Sequence, residues 1–190
     1  PALATGWAVG GSGLVIRSAD GGQSWTSSSP ATQTLNAVHF VSDNVGWAVG
    51  NGGIAIKTTD GGDTWAQTSP GSLNLNGVFF TDATHGWIVG DAGKVLRTTN
   101  GGSSWTTSTP TTAALYGVCF LDQTLGWAVG KGVVLRTTNG GATWSHASPT
   151  PATLRDVYFV SSLVGWAVGY NGVVLTSTDG GLSWTSSTRT

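Results

Sequence analysis

All ten tryptophans of this 190-residue chain fall into two repeating slots. Trp7, Trp47, Trp87, Trp127 and Trp166 sit in Gly-Trp-(Ala/Ile)-Val-Gly, spaced by 40, 40, 40 and 39 residues. Trp25, Trp65, Trp105, Trp144 and Trp184 close the segment (Ser/Thr)-x-(Asp/Asn)-Gly-Gly-x-(Ser/Thr)-Trp. A period near 40 marks stacked supersecondary units, none of which can bury its apolar face alone. The units run 1–30 (partial), 31–70, 71–110, 111–150 and 151–190, within a single expected domain spanning 1–190.

One unit shows what the repeat folds into. Residues 35–40 alternate, with Leu35, Ala37 and His39 on one side and Val38 and Phe40 on the other, which predicts a first strand. Ser42-Asp43-Asn44 turns the chain, and Gly46–Gly50 reads as a second strand. Asn51-Gly52-Gly53 tolerates positive φ and makes a tight turn. Residues 54–58 read as a third strand and 64–67 as a fourth, joined by Asp60-Gly61-Gly62. The third strands are apolar at nearly every position, as in Val133-Val134-Leu135 and Val173-Val174-Leu175, which fits a sheet covered on both faces. No window has sustained helical periodicity. The expectation is an all-β propeller of about five four-stranded antiparallel blades, with the Trp side chains largely buried. The first blade lacks its innermost strand, because residues 1–5 do not carry the apolar strand that precedes every other Gly-Trp. The unpaired edge at Gly6–Gly10 is expected to take a strand from outside this sequence or from a neighbouring copy.

Charge is sparse. Asp, Glu, Lys and Arg make up 9 % of the chain, with nine Asp, no Glu and eight Lys plus Arg. Such a balance excludes a general nucleic-acid footprint. No apolar run is long enough for a membrane-spanning helix. A surface of Gly, Ser and Thr with no Met suggests export. Cys119, alone between Val118 and Phe120, is expected to be a buried thiol, and a single Cys makes neither an intrachain disulfide nor a zinc cluster.

The chemistry-bearing residues are mostly absorbed by turns. Asp20, Asp60, Asn100, Asn139 and Asp179 occupy one slot of the Gly-Gly turn, where an acidic or amide oxygen can accept backbone N–H groups. Calcium would favour a carboxylate throughout, so the mixture speaks for a structural turn, and neither a metal nor a cofactor is expected. Asp43, Asp82 and Asp122 recur at equivalent loop positions, while Asp63, Asp91 and Asp156 are scattered. Glycoside cleavage needs a carboxyl pair, and only Asp pairs remain, so a hydrolase ranks last and no catalytic residue is assigned. His39, His85 and His146 lie in unrelated slots and make no shared metal site. Tyr116, Tyr158 and Tyr170 belong to no motif. A near-periodic cation ends the third strands at Arg17, Lys57, Arg97 and Arg136, and Thr176 breaks the series. These four either form an anion or acidic-peptide site or pack their stems over neighbouring Trp rings.

The Gly-Gly turns resemble Asp-boxes, the motif of sialidases, sortilin-type receptors and some xyloglucan-cleaving enzymes. Joined to Gly-Trp-Ala-Val-Gly, they resemble the photosystem II assembly and stability factor family of cyanobacteria and chloroplasts, with its relatives in non-photosynthetic bacteria. That resemblance implies a propeller that assists protein assembly. Its photosynthetic members have seven blades in the thylakoid lumen and an arginine patch that engages a partner; five repeats are present here. A sialidase-like site would need a glutamate, which the chain lacks. The leading expectation is a non-catalytic scaffold for protein binding or complex assembly, its partner a protein or a neighbouring copy. The alternative is a glycan-binding, lectin-like propeller module. The implied location is extracellular, periplasmic or lumenal.

Overall fold

A computed structural model describes residues 5–188 of the chain. The reading of Pro1–Ala4 as a replacement for a strand therefore lies outside the described residues. Among the described residues nineteen strands form five antiparallel sheets. Blade 1 has three strands: β1 (Gly6–Val9), β2 (Val15–Ser18) and β3 (Thr26–Ser28). Blade 2 has four: β4 (Leu35–Phe40), β5 (Gly46–Gly50), β6 (Ala55–Thr58) and β7 (Ala66–Thr68). Blade 3 holds β8 (Leu75–Phe80), β9 (Gly86–Gly90), β10 (Val95–Thr98) and β11 (Thr106–Ser108). Blade 4 holds β12 (Leu115–Phe120), β13 (Gly126–Gly130), β14 (Val133–Thr137) and β15 (Ser145–Ala147). Blade 5 holds β16 (Leu154–Phe159), β17 (Gly165–Gly169), β18 (Val173–Ser177) and β19 (Thr185–Thr188). Each sheet is a meander, so the strand order follows the chain. This is the expected all-β propeller, its first blade one strand short among the described residues.

Two local departures have physical causes. The fourth strand of blade 2 starts at Ala66, because Thr64 and Trp65 are still held by the preceding turn. Strict alternation would set Leu35 opposite Val38. A register shift between Leu35 and Ala37 instead brings Leu35 and Val38 into one core cluster. The same shift recurs between Leu115 and Gly117 and between Leu154 and Asp156.

The chain divides into two compact units, Pro1–Val78 and Phe79–Thr190. In the first, Val9 and Val15 of blade 1 and Ala31 of the segment before β4 pack on Leu35, Val38, Ala48, Ile54, Ile56 and Trp65 of blade 2. In the second, Trp87, Val89 and Val95 meet Leu115, Val118, Phe120, Ala128 and Leu135. Cys119, Trp127, Val129 and Val134 meet Leu154, Val157, Phe159, Ala167 and Leu175. Within each unit the core therefore lies between successive sheets rather than within one. Burial of the tryptophans follows from this. Trp47, Trp87 and Trp127 are buried, whereas Trp25 and Trp166 are exposed, which corrects the expectation of largely buried tryptophans at those two positions.

Candidate functional site

The Gly-Gly turn is built from its own side chains. In blade 2 the Thr58 hydroxyl donates to Asp60 Oδ1 at 2.7 Å and accepts the Gly62 N–H at 2.9 Å. Asp60 Oδ1 also accepts the Thr64 N–H at 2.9 Å, and its Oδ2 accepts the Thr64 hydroxyl. Hydrogen bonds from the Thr64 hydroxyl and N–H, then from Thr58, hold the Asp60 carboxyl far below the usual carboxylate range. Asp20 is lowered in the same way by Ser24 and then Ser18. Asp179 is held at about 2, first by the Ser183 hydroxyl and then by its N–H. Asn100 and Asn139 reproduce the geometry. Their Oδ1 atoms accept from Thr98 and Thr137, and their amide nitrogens donate to Ser104 and Thr143 at 2.9 Å. An amide that does the same work as a carboxylate defines a hydrogen-bonded turn and not a charge requirement.

The turn also receives the preceding blade. Trp7 donates to the Gly61 carbonyl at 3.0 Å, Trp87 to Gly140 at 2.8 Å and Trp127 to Gly180 at 2.9 Å. Each of these indoles stacks on the Phe that ends the next blade's first strand: Trp7 on Phe40, Trp87 on Phe120 and Trp127 on Phe159. The far edge of that Phe meets its own blade's turn tryptophan in a T-shaped contact, as for Phe40 and Trp65 or Phe159 and Trp184. Glycine is required at the junction. Gly181 has φ +86°, and a Cβ there would lie 2.6 Å from Trp127 Nε1.

The four cations share a register position, each paired across the sheet with the Gly-Trp tryptophan of its own blade. They line blade edges. Arg17 Nη1 donates to Asp63 at 3.2 Å, Arg136 Nε donates to the Gly180 carbonyl at 2.9 Å, and Arg97 lies beside Gly140. Lys57 stands 5.2 Å from the Trp47 ring centroid. All four are half-buried, and the Nε atoms of Arg17 and Arg97 are covered, so the stems pack at the blade edges. Thr176 occupies the fifth position, paired with Trp166.

The remaining candidates are dispersed. Asp82 pairs with His85 Nδ1 at 3.0 Å in the β8–β9 loop. Burial works to raise the Asp82 carboxyl, but bonds from the Thr84 hydroxyl and the His85 and Thr84 N–H groups outweigh it and leave it well below normal. Asp122 makes the matching loop cap with Thr124 and Leu125. Burial pushes the Cys119 thiol up. No group of three His, Cys, Asp or Glu side chains could hold a metal among the described residues. One cluster escaped the sequence reading. Arg155 of β16 lies 4.3 Å from the Tyr116 ring centroid and 5.5 Å from that of Tyr170. Tyr116 and Arg155 fill one repeat position in successive blades, where blades 2 and 3 have Asn36 and Asn76, so no motif marks it, and Tyr170 stands elsewhere in the repeat.

Sheets joined through Asp-box turns and Trp–Phe stacks define an Asp-box (BNR-type) repeat β-propeller. The family model for the photosynthesis system II assembly factor YCF48 matches residues 3–57, 28–106 and 71–148, and the chain belongs to that family. No curated protein sequence matches the chain. Among solved structures it is similar to YCF48 bound to D1 peptide, at 21 % identity and a TM-score of 0.53 over 97 % of this chain and 77 % of that one. YCF48 from Cyanidioschyzon merolae matches at 18 % identity and TM-score 0.62, over 96 % and 80 % of the two chains. An ancestral GH74 enzyme matches at 19 % identity and TM-score 0.75, but only 31 % of that chain is covered. At these identities the structural likenesses establish the fold alone.

Proposed function

We propose that this chain is a non-catalytic scaffold that binds a protein segment during complex assembly. Membership of the assembly-factor family carries the reading, and one similar structure is of YCF48 with a bound peptide. The residues assigned to the partner are Arg97 and Arg136 in the second unit, with Arg17 and Lys57 at the matching positions of the first. Packing against the adjacent turns fixes Arg17, Arg97 and Arg136 before any ligand arrives, which lowers the ordering cost of binding. Among the described residues Arg17 has Asp63 as a carboxylate partner, while Arg97 and Arg136 meet none. The partner is accordingly an acidic or carboxylate-ended peptide. A location outside the cytoplasm goes with this reading; among the described residues no helix is long and apolar enough to cross a membrane.

The test is a fluorescence-anisotropy titration with acidic, neutral and basic peptides of equal length. The acidic peptide should bind with affinity that falls as salt rises, and Arg97→Gln with Arg136→Gln should weaken it by about tenfold or more. Equal binding of all three peptides, or an unchanged affinity in the double variant, would reject the site. A glycan array run in parallel addresses the lectin-like alternative, and saturable sugar binding without peptide binding would replace the proposal.

A further inference from the structure

A cavity of about 210 Å³ opens in the first unit, between β3 of blade 1 and the turn that follows β6 of blade 2. It lies on the face of blade 1 that blade 2 covers, toward the outer strands and away from the inner edge of β1. Both walls belong to Pro1–Val78. Its base is apolar. Val15 is buried there, and the Trp7 indole is fixed by its stack on Phe40 and its bond to the Gly61 carbonyl. The polar lining is Arg17, Asp63 and the hydroxyl-bearing Thr26 and Ser28. Concave sites with an apolar base and a few placed polar groups hold small molecules.

The charged pair sets the charge of what fits. Arg17 Nη1 and Asp63 Oδ1 are 3.2 Å apart, so the two charges offset each other before a ligand arrives. A carboxylate would have to displace Asp63, and an ammonium group would have to displace Arg17. A neutral ligand breaks neither contact. A carboxylate accepts up to about four hydrogen bonds and a guanidinium donates about five. Among the described residues this pair uses one of each on the other. The remaining donors and acceptors stand side by side. Adjacent hydroxyls of a sugar complete that pattern, because each hydroxyl both donates and accepts. The C–H face of a pyranose ring is apolar and suits Val15 and the indole.

Asp63 is particular to this junction. The residue after the second turn glycine is Gln23, Asp63, Ser103, Ala142 and Leu182 in the five units, so one position in five is acidic. At the turn with Leu182 the cation finds a different acceptor, and Arg136 Nε donates to the Gly180 carbonyl at 2.9 Å.

We propose that this cavity binds one neutral pyranose ring, with Arg17 donating to and Asp63 accepting from adjacent hydroxyls and with Val15 and Trp7 under the ring. The ring comes either from a free hexose or from the end of a glycan. The inference does not rest on the peptide-binding reading, since Arg97 and Arg136 line other junctions.

The experiment is saturation-transfer NMR on the 190-residue chain with methyl glucoside, galactoside and mannoside, and with the uronate and the amino sugar of each hexose, followed by titration. At least one methyl hexoside should bind saturably and more tightly than its charged counterparts. Asp63→Ala should weaken that binding by about tenfold or more, the loss expected for a hydrogen bond to a charged group. Ser28→Phe should abolish it by filling the cavity. Both substitutions are at exposed positions, and circular dichroism with thermal unfolding checks each fold. An oligosaccharide that ends in the same hexose separates the two sources: equal or tighter binding assigns the site to a glycan end, and weaker binding to a free sugar. Absence of binding by all three hexosides overturns the proposal. So does tighter binding of a charged sugar, or an unchanged affinity in either folded variant. The acidic-peptide titration reads Arg97 and Arg136 and this one reads Asp63 and Ser28, so either reading can fail alone.

Discussion

The rings of Trp127 and Phe159 lie parallel, 5° between planes and 3.5 Å between centroids, although the residues belong to different blades. Phe159 is also edge-on to Trp184 at 5.8 Å, so one phenyl ring fills the space between two indoles. Phe159→Ala should therefore cost about 3–5 kcal/mol, the range for a large aromatic removed from a packed core. Urea unfolding followed by tryptophan fluorescence measures this. Trp166→Ala should cost far less, because that ring is 38 % exposed.

The turn carboxylates make stability depend on acid in a definite direction. Asp179 has an ordinary value of 3.8 and is held at about 2 in the fold; Asp20 and Asp60 are also lowered. A depressed folded-state value contributes stability above the unfolded value and loses it as pH falls through the folded one. Stability should thus decline from about pH 4 to about pH 2. The triple variant Asp20→Asn, Asp60→Asn, Asp179→Asn should show a shallower decline, since Asn100 and Asn139 already fill this slot without titrating. Chemical unfolding at a series of pH values compares the slopes. Equal slopes would dismiss the assignment.

Thr137 is buried, donates to Asn139 Oδ1 at 3.0 Å and accepts the Gly141 N–H at 2.9 Å. Thr137→Val keeps the shape and strands the Gly141 N–H, so it should destabilise by about 1–3 kcal/mol. Thr137→Ser keeps the hydroxyl and should recover most of the loss. Denaturant midpoints of the three proteins decide it.

Cys119 is 3 % exposed and its thiol is pushed up by burial. The native chain should resist an aromatic disulfide reagent and react with one equivalent only after unfolding. Fast labelling of the native chain would show that blade 4 and blade 5 part readily.

Much of a blade was legible because its determinants are local. The turn at Asp60 is closed by Thr58 and Thr64, neither more than four residues away, and the sequence pattern carries that geometry directly. The role of the cations was left open for the opposite reason. Arg136 finds its acceptor 44 residues on, at Gly180, and only packing brings the two together. The Arg155–Tyr116–Tyr170 cluster was not legible at all, since Tyr116 and Arg155 fill a repeat position whose residue changes from blade to blade and only packing brings them together with Tyr170.

Residues 126–130 and 165–169 make the division plain, for both read Gly-Trp-Ala-Val-Gly and both form the second strand of a blade. The sequence by itself determined that strand, its turns and the period that stacks one blade on another, because these rest on backbone preference and short-range hydrogen bonds. Only the tertiary structure decided that Trp127 is sealed while Trp166 faces solvent. Burial is set by what packs on a face. Blade 5 covers Trp127, and no blade in the described residues covers Trp166.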